Sequence, residues 1–199
     1  MPRATSQEID AEIIEAAAAL IAQHGYEQTS LQRIADAVGY SKTGLLHRFP
    51  SKEALLEAVA TSCTAAVDEV HAAVRDLPPG PARDVQVVRR FVEMAVGRPG
   101  YVCLVLALCT TLAGTAAGQR MSDVPERFFA AFATDPDAPL LRRLQVLAAL
   151  GSLAVTAMAP LEEPPERLRP LVTATTLAAL GHPAADPDPD PAADAAGSR

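Results

Sequence analysis

The chain has 199 residues, 49% of them hydrophobic, with aromatics at 4%, no tryptophan and a formal net charge of −7. That length allows one or two domains with a sizeable core. Alanine-rich usage with short β-branched runs argues for an all-α fold. The acidic total excludes a surface that is basic throughout, so any DNA-binding function has to sit on a local face.

Met1-Pro2-Arg3 leads straight into an amphipathic helix, with no signal peptide ahead of it. Thr5 and Glu8 have the spacing of a capping box, and Ile13, Ile14, Ala17, Leu20 and Ile21 form an apolar stripe that stops at Gly25. Tyr26 occupies the place of the hydrophobic contact that accompanies a glycine C-cap. Arg3 either reaches a phosphate or belongs to a frayed terminus.

Residues 29–52 carry the clearest signal. Thr29 and Gln32 read as a second capping box, and Leu31, Ile34, Ala35 and Val38 recur at helical spacing up to Gly39. Ser41 is placed to cap another short helix, which Pro50 stops. Two short helices across a glycine turn predict a helix-turn-helix whose second helix enters the major groove. Lys42 and Lys52, the only lysines, flank that helix. From Gly25 to Lys52 the charges are Arg33, Lys42, Arg48 and Lys52 against Glu27 and Asp36, a modest positive balance. Gly44 inside a short helix costs about 1 kcal/mol against alanine. Either close approach to DNA or packing against a neighbouring helix accounts for it.

Residues 9–59 resemble the DNA-binding domain of the TetR family. The ordered string His24-Gly25-Tyr26, Thr29-Ser30, Ile34-Ala35, Val38-Gly39, Ser41-Lys42 and Phe49 through Leu56 carries the resemblance. It implies a three-helix DNA-binding head, a helical domain that binds a small molecule, and a homodimer. By position, Gln32, Arg33, Lys42, Thr43 and Gly44 match places that commonly face bases. Ser30, Ser41, His47 and Lys52 match places that commonly face phosphates, although His47 also reads as an ordinary solvated residue. Two departures stand out: Leu46 replaces a usual tyrosine, and Thr43-Gly44 reverses the usual glycine-then-hydroxyl order.

A long helix over residues 51–77 follows, with Leu55, Leu56, Val59, Cys63, Ala66, Val67, Val70 and Val74 at helical spacing. It is long enough to span both domains, and Pro78-Pro79-Gly80-Pro81 ends it. His71 reads as a partly buried structural histidine. Residues 84–96 form an amphipathic helix, with Arg89, Arg90 and Glu93 outward and Val88, Phe91, Val92 and Ala95 inward. Residues 99–119 and 144–161 contain no charged side chain. Both are long enough to raise a membrane span. Their small residues, the breaks at Gly114 and Gly118 and the lack of aromatic belts favour buried helices of a soluble dimer.

A short helix over residues 123–133 holds Phe128, Phe129 and Phe132. Leu140, Leu144, Leu147, Gly151, Ala154 and Met158 then make a wide seam, and residues 171–180, with Pro170 at N1, make the last helix. Leu144, Leu147, Gly151, Ala154 and Met158, with Ala174 and Ala178, are the candidate dimer interface; an intramolecular core is the alternative. The Pro-, Ala- and Asp-rich run from His182 is expected to be disordered.

Met94, Cys103, Leu106, Thr110, Met121, Phe128 and Phe129 are candidates for a ligand pocket, with Thr110 or Thr111 as its polar group. They would equally well pack as core. As a pocket they imply a small hydrophobic effector, neutral or weakly polar, because a metal ion or phosphorylated metabolite would lack partners. Cys63, Cys103 and Cys109 have no metal-ligand spacing and read as reduced, buried thiols of a cytoplasmic protein, with a redox sensor as the alternative. No catalytic frame, phosphate loop or cofactor motif emerges. The expected division is residues 1–50 as head, 51–181 as regulatory and dimerisation domain and 182–199 as tail. The expected function is repression through an inverted-repeat, double-stranded operator, relieved by the effector, with no membrane partner. The other reading is a helical protein or small enzyme with an apolar pocket, whose head serves protein contacts.

Overall fold

The computed structural model describes residues 5–109, 111–159 and 161–183, and every regular element within them is a helix. Arg3, Thr110 and residues 184–199 of the expected tail lie outside the described residues, as does the side chain of Cys109.

Helix α1 (Ser6–His24) starts on the expected capping box. The Glu8 N–H donates to the Thr5 hydroxyl, and the Thr5 N–H donates to the Glu8 carboxylate at 2.7 Å. Those backbone and hydroxyl contacts hold the Glu8 carboxyl below its usual range. Helices α2 (Leu31–Ala37) and α3 (Lys42–Arg48) follow, and the first core cluster gathers Ile13, Ala17, Ile21, Ile34, Ala35 and Leu45 from all three.

Helix α4 (Lys52–Val74) is capped by Ser51, whose hydroxyl accepts the Ala54 N–H. It ends three residues short of Leu77, which sits in a turn closed onto the Val74 carbonyl at 3.0 Å. Leu55, Leu56, Val59, Ala60 and Cys63 of α4 belong to the first core, and Val70 and Val74 belong to a second. One helix thus serves both. The second core is completed by α5 (Pro81–Gly97), α8 (Val124–Ala131), α9 (Leu140–Met158) and α10 (Pro165–Ala179).

The first charge-free stretch is divided between α6 (Pro99–Cys109) and α7 (Ala116–Arg120). Eleven helical residues reach only about 16 Å, against a hydrocarbon core of ~30 Å. Helix α6 packs against α1 so closely that a Cβ on Gly100 would lie 2.6 Å from the Ala19 backbone. Among the described residues, α9 is the one single helix long and apolar enough to cross a membrane. In the single chain it is buried on one side only: Val146, Ala149 and Leu153 face inward, while Leu140, Leu141 and Val155 are 67%, 68% and 68% exposed.

Helix α10 begins six residues before the expected start. The Pro164-Pro165 doublet supplies an earlier N1 proline, and Pro170 lies inside the helix. The N–H that Pro170 lacks would have bonded the Glu166 carbonyl, and Glu166 is exposed, so the missing bond falls on the outer side of the helix. His182, expected in the tail, is half-buried, with Nε2 2.9 Å from the Asp84 carboxylate.

Candidate nucleic-acid interface and ligand cavity

The head is built from three capped turns. Ser30, not Thr29, caps α2: its hydroxyl accepts the Arg33 N–H at 3.1 Å. Thr29 is buried, and its hydroxyl donates to the Leu20 and Gly25 carbonyls at 3.1 and 2.8 Å, tying the loop to the end of α1. The Gln32 amide donates to Asp36 at 2.6 Å instead of reaching back to the cap. The expected capping box is therefore shifted by one residue and lacks its reciprocal bond.

Helix α2 ends as its glycine requires. Gly39 has φ of 69°, the Tyr40 N–H donates to the Ala35 carbonyl at 2.9 Å, and the Gly39 N–H donates to Asp36 at 3.3 Å. This nested pair of bonds is a Schellman motif, and it aims the chain into α3. The Ser41 hydroxyl accepts the Gly44 N–H at 3.0 Å, and its own proton remains free to donate. Leu45 is fully buried and anchors α3, which leaves Lys42, Thr43 and His47 exposed. A Cβ on Gly44 would meet only the Ser41 oxygen, at 3.2 Å. Packing against another helix therefore does not explain that glycine.

The local charge differs from the sequence reading at one place. The Arg48 guanidinium is spent on the Asp10 carboxylate and on Ser6, bracing α3 against α1. Arg33, Lys42 and Lys52 remain. Lys52 stands at the first residue of α4, its ammonium 4.1 Å from the Tyr26 ring centroid and 3.4 Å from the Glu27 carbonyl. Tyr26 in turn donates to Glu53 at 3.4 Å, and burial followed by the Glu53 charge raises its phenol above the usual range. Sequence reasoning gave Tyr26 a capping role only; here its ring also seats Lys52.

In the other half, α5, α6, α8 and α9 enclose a cavity of 280 Å³ with an almost wholly apolar lining. Phe91 sits at its back, 5.2 Å edge-to-face from Phe128.

The model for "Bacterial regulatory proteins, tetR family" matches residues 13–59. The HTH-type transcriptional regulator RutR of Escherichia coli K12 is 51% identical over 47 residues, 24% of this chain and 22% of that protein. A TetR-family regulator from Bordetella parapertussis has a similar structure, with a TM-score of 0.66 and 25% identity over 86% of this chain and 95% of its own. The head of this chain, residues 13–59, thus matches the TetR family, and the chain spans about a fifth of the length of the curated relative it matches. The fold is also similar to that of AibR, solved with isovaleryl coenzyme A and operator DNA, with a TM-score of 0.55 and 24% identity over 82% of this chain and 95% of AibR.

Within this TetR-family fold, the expected pocket residues separate. Met94, Leu106, Phe128 and Phe129 line the cavity. Met121 is fully buried in the first core, and Cys103 is half-buried with Sγ 4.0 Å from the Ala157 carbonyl; neither lines it. Thr111 is exposed and its hydroxyl turns back to Ala107, so Thr111 does not supply the expected polar group. Val102, Val105, Leu150 and Leu153 line the cavity as well. Sequence reasoning did not single them out. Cys63 is buried and its thiol is pushed up to about 12 by desolvation, which keeps it protonated.

Of the seam residues, Leu144, Leu147, Gly151 and Met158 are exposed, and Ala154 is half-buried. Leu147, Gly151 and Ala154 also edge the cavity. On α10, Ala174 is half-buried and Ala178 exposed.

Proposed function

We propose that this chain is a DNA-binding, ligand-responsive transcriptional repressor. One observation carries the reading: a capped α2, a Schellman turn at Gly39 and a buried Leu45 together hold out Lys42 and Thr43 on the first turn of α3. Side chains on that turn reach base edges in the major groove, and Lys52 at the start of α4 suits a phosphate. Gly44 lets the backbone come close. Ser30 and Ser41 can donate their hydroxyl protons to phosphates while capping, and His47 is exposed beside them. Gln32 and Arg33 would have to reach from α2, with Gln32 first leaving Asp36.

A single head covers few base pairs, so a two-fold dimer reading an inverted repeat is part of the proposal. The apolar outer face of α9, with α10 beside it, supports that dimer. Residues 1–50 act as the head and 51–181 as the regulatory and dimerisation domain, in a cytoplasmic protein without enzymatic activity. The cavity takes an apolar effector that releases the operator; AibR, with its acyl-coenzyme A ligand and operator, supports that kind of coupling.

The test is selection of duplexes from a random library, followed by titration of the selected site. An inverted repeat bound far more tightly than random duplex is expected. A chain that binds all duplexes alike, or none, overturns the proposal.

A further inference from the structure

Among the described residues, the lining of the 280 Å³ cavity holds no charged side chain that could orient a ligand. Binding sites pair apolar surface with a few placed polar groups. Such groups lie just beyond Met94. A second space, a groove of 520 Å³ between α4 and α5, shares Met94 with the cavity and bears Arg89, Arg90 and Arg98. Of its two acids, Glu93 is paired with Arg169 at 2.8 Å, which leaves Glu69. Among the described residues Arg89 and Arg90 make no ion pair. Arg98 is held in place: its guanidinium is 5.5 Å from the ring centroid of Tyr101, itself buried and bonded to Ser62 at 3.0 Å.

We propose that cavity and groove are two parts of one site, which takes a molecule with an apolar body and an anionic head. The body lies against Phe91 and Phe128, and the head meets Arg90 and Arg98. Guanidinium groups bind carboxylate and phosphate oxygens in pairs, with charge-assisted hydrogen bonds. Met94, half-buried and unbranched with three rotatable bonds, is a wall that can swing aside. This inference rests on the reading that the cavity is the effector site, and it replaces the neutral effector expected from the sequence with a charged one.

Calorimetric titration of the full chain with 1-octanol, octanoate, octyl phosphate and octyltrimethylammonium tests it. Octanoate or octyl phosphate should bind about tenfold or more tightly than octanol. The tighter of the two identifies the head group. The cation should bind no better than octanol, and the advantage of the anion should shrink with added salt. A chain carrying Arg90→Gln and Arg98→Gln should lose that advantage and keep its octanol affinity. Should the pair lower the melting temperature, Arg89→Gln on the exposed face gives a second measurement, with a smaller loss of the same kind. Equal affinity for octanol and both anions overturns the anionic head and leaves the apolar cavity standing. An anion preference that survives all the arginine changes overturns the groove. Binding of none of the four removes the cavity reading and this inference together.

Discussion

Lys42 and Lys52 carry the same charge in different settings, and the difference predicts different losses. Lys42 is exposed on the first turn of α3, whereas Lys52 is seated on the Tyr26 ring beside the Glu27 carbonyl. Lys42→Ala should weaken the selected operator by about 1–3 kcal/mol and relax preference at one base position. Lys52→Ala should weaken operator and random duplex alike and reduce the salt slope by about one ion. Fluorescence anisotropy across a salt series measures both, and identical behaviour of the two variants on both duplexes would reverse the assignment. These lysines were readable in the sequence because they flank a motif with fixed spacing. Arg48 was not: its partner Asp10 lies 38 positions away, and no local pattern announces the pairing. The shift of the cap from Thr29 to Ser30 has a similar cause. Two adjacent hydroxyl residues can each cap a helix, and the Leu20 and Gly25 carbonyls, which take the hydroxyl of buried Thr29, decide which one does.

At the level of whole helices, periodicity located α1 to α5 and α9 closely, because each carries an apolar stripe at helical spacing that packs into a core. It failed at α10, where Pro170 looked like a beginning and is an interior residue of the helix. It also passed over the knot that joins α5, α8 and α9. Arg83, nearly buried, donates to the Ala130 and Ala131 carbonyls at the end of α8 and to Leu77. Next to it, Asp84 accepts two bonds from Arg142 at 2.7 and 2.9 Å, while His182 lies at 2.9 Å. In sequence, Asp84 is simply an acid near a helix start, well suited to the helix dipole. Asp84→Asn keeps the shape and removes the charge, leaving Arg142 poorly paired. Loss of one partner of a buried pair costs about 3–5 kcal/mol, and the quarter exposure of Arg142 argues for the lower end, about 3 kcal/mol. Urea unfolding measures it, and a loss below about 0.5 kcal/mol would mean that the knot adds nothing to stability.

Across the whole molecule, the two cores meet along α4, and α6 lies directly on α1, so the cavity wall and the head share a helix contact. Gly100 sets that contact, since any side chain there strikes Ala19 backbone that cannot swing away. Gly100→Ala should cost about 1–3 kcal/mol by overpacking and lower the melting temperature, as a thermal melt would show. An unchanged melting temperature would mean that α6 lies less tightly on α1. Neither this contact nor the exposure of α9 could be read from composition, because an apolar helix looks the same whether its partner is in the same chain or another. Val155 separates the two. It is 68% exposed, projects from the outer face of α9 and does not line the cavity, so Val155→Arg leaves both cores and the pocket intact. In a dimer built on that face the change buries an unpaired guanidinium, at a cost of several kcal/mol. Sedimentation should then show a folded monomer at concentrations where the parent chain is a dimer, with helical content and thermal unfolding of the monomer preserved. Operator affinity should fall steeply, because each monomer reads only one half-site and the linkage between the two heads is gone. A variant that remains a dimer and binds the operator normally would move the interface away from α9.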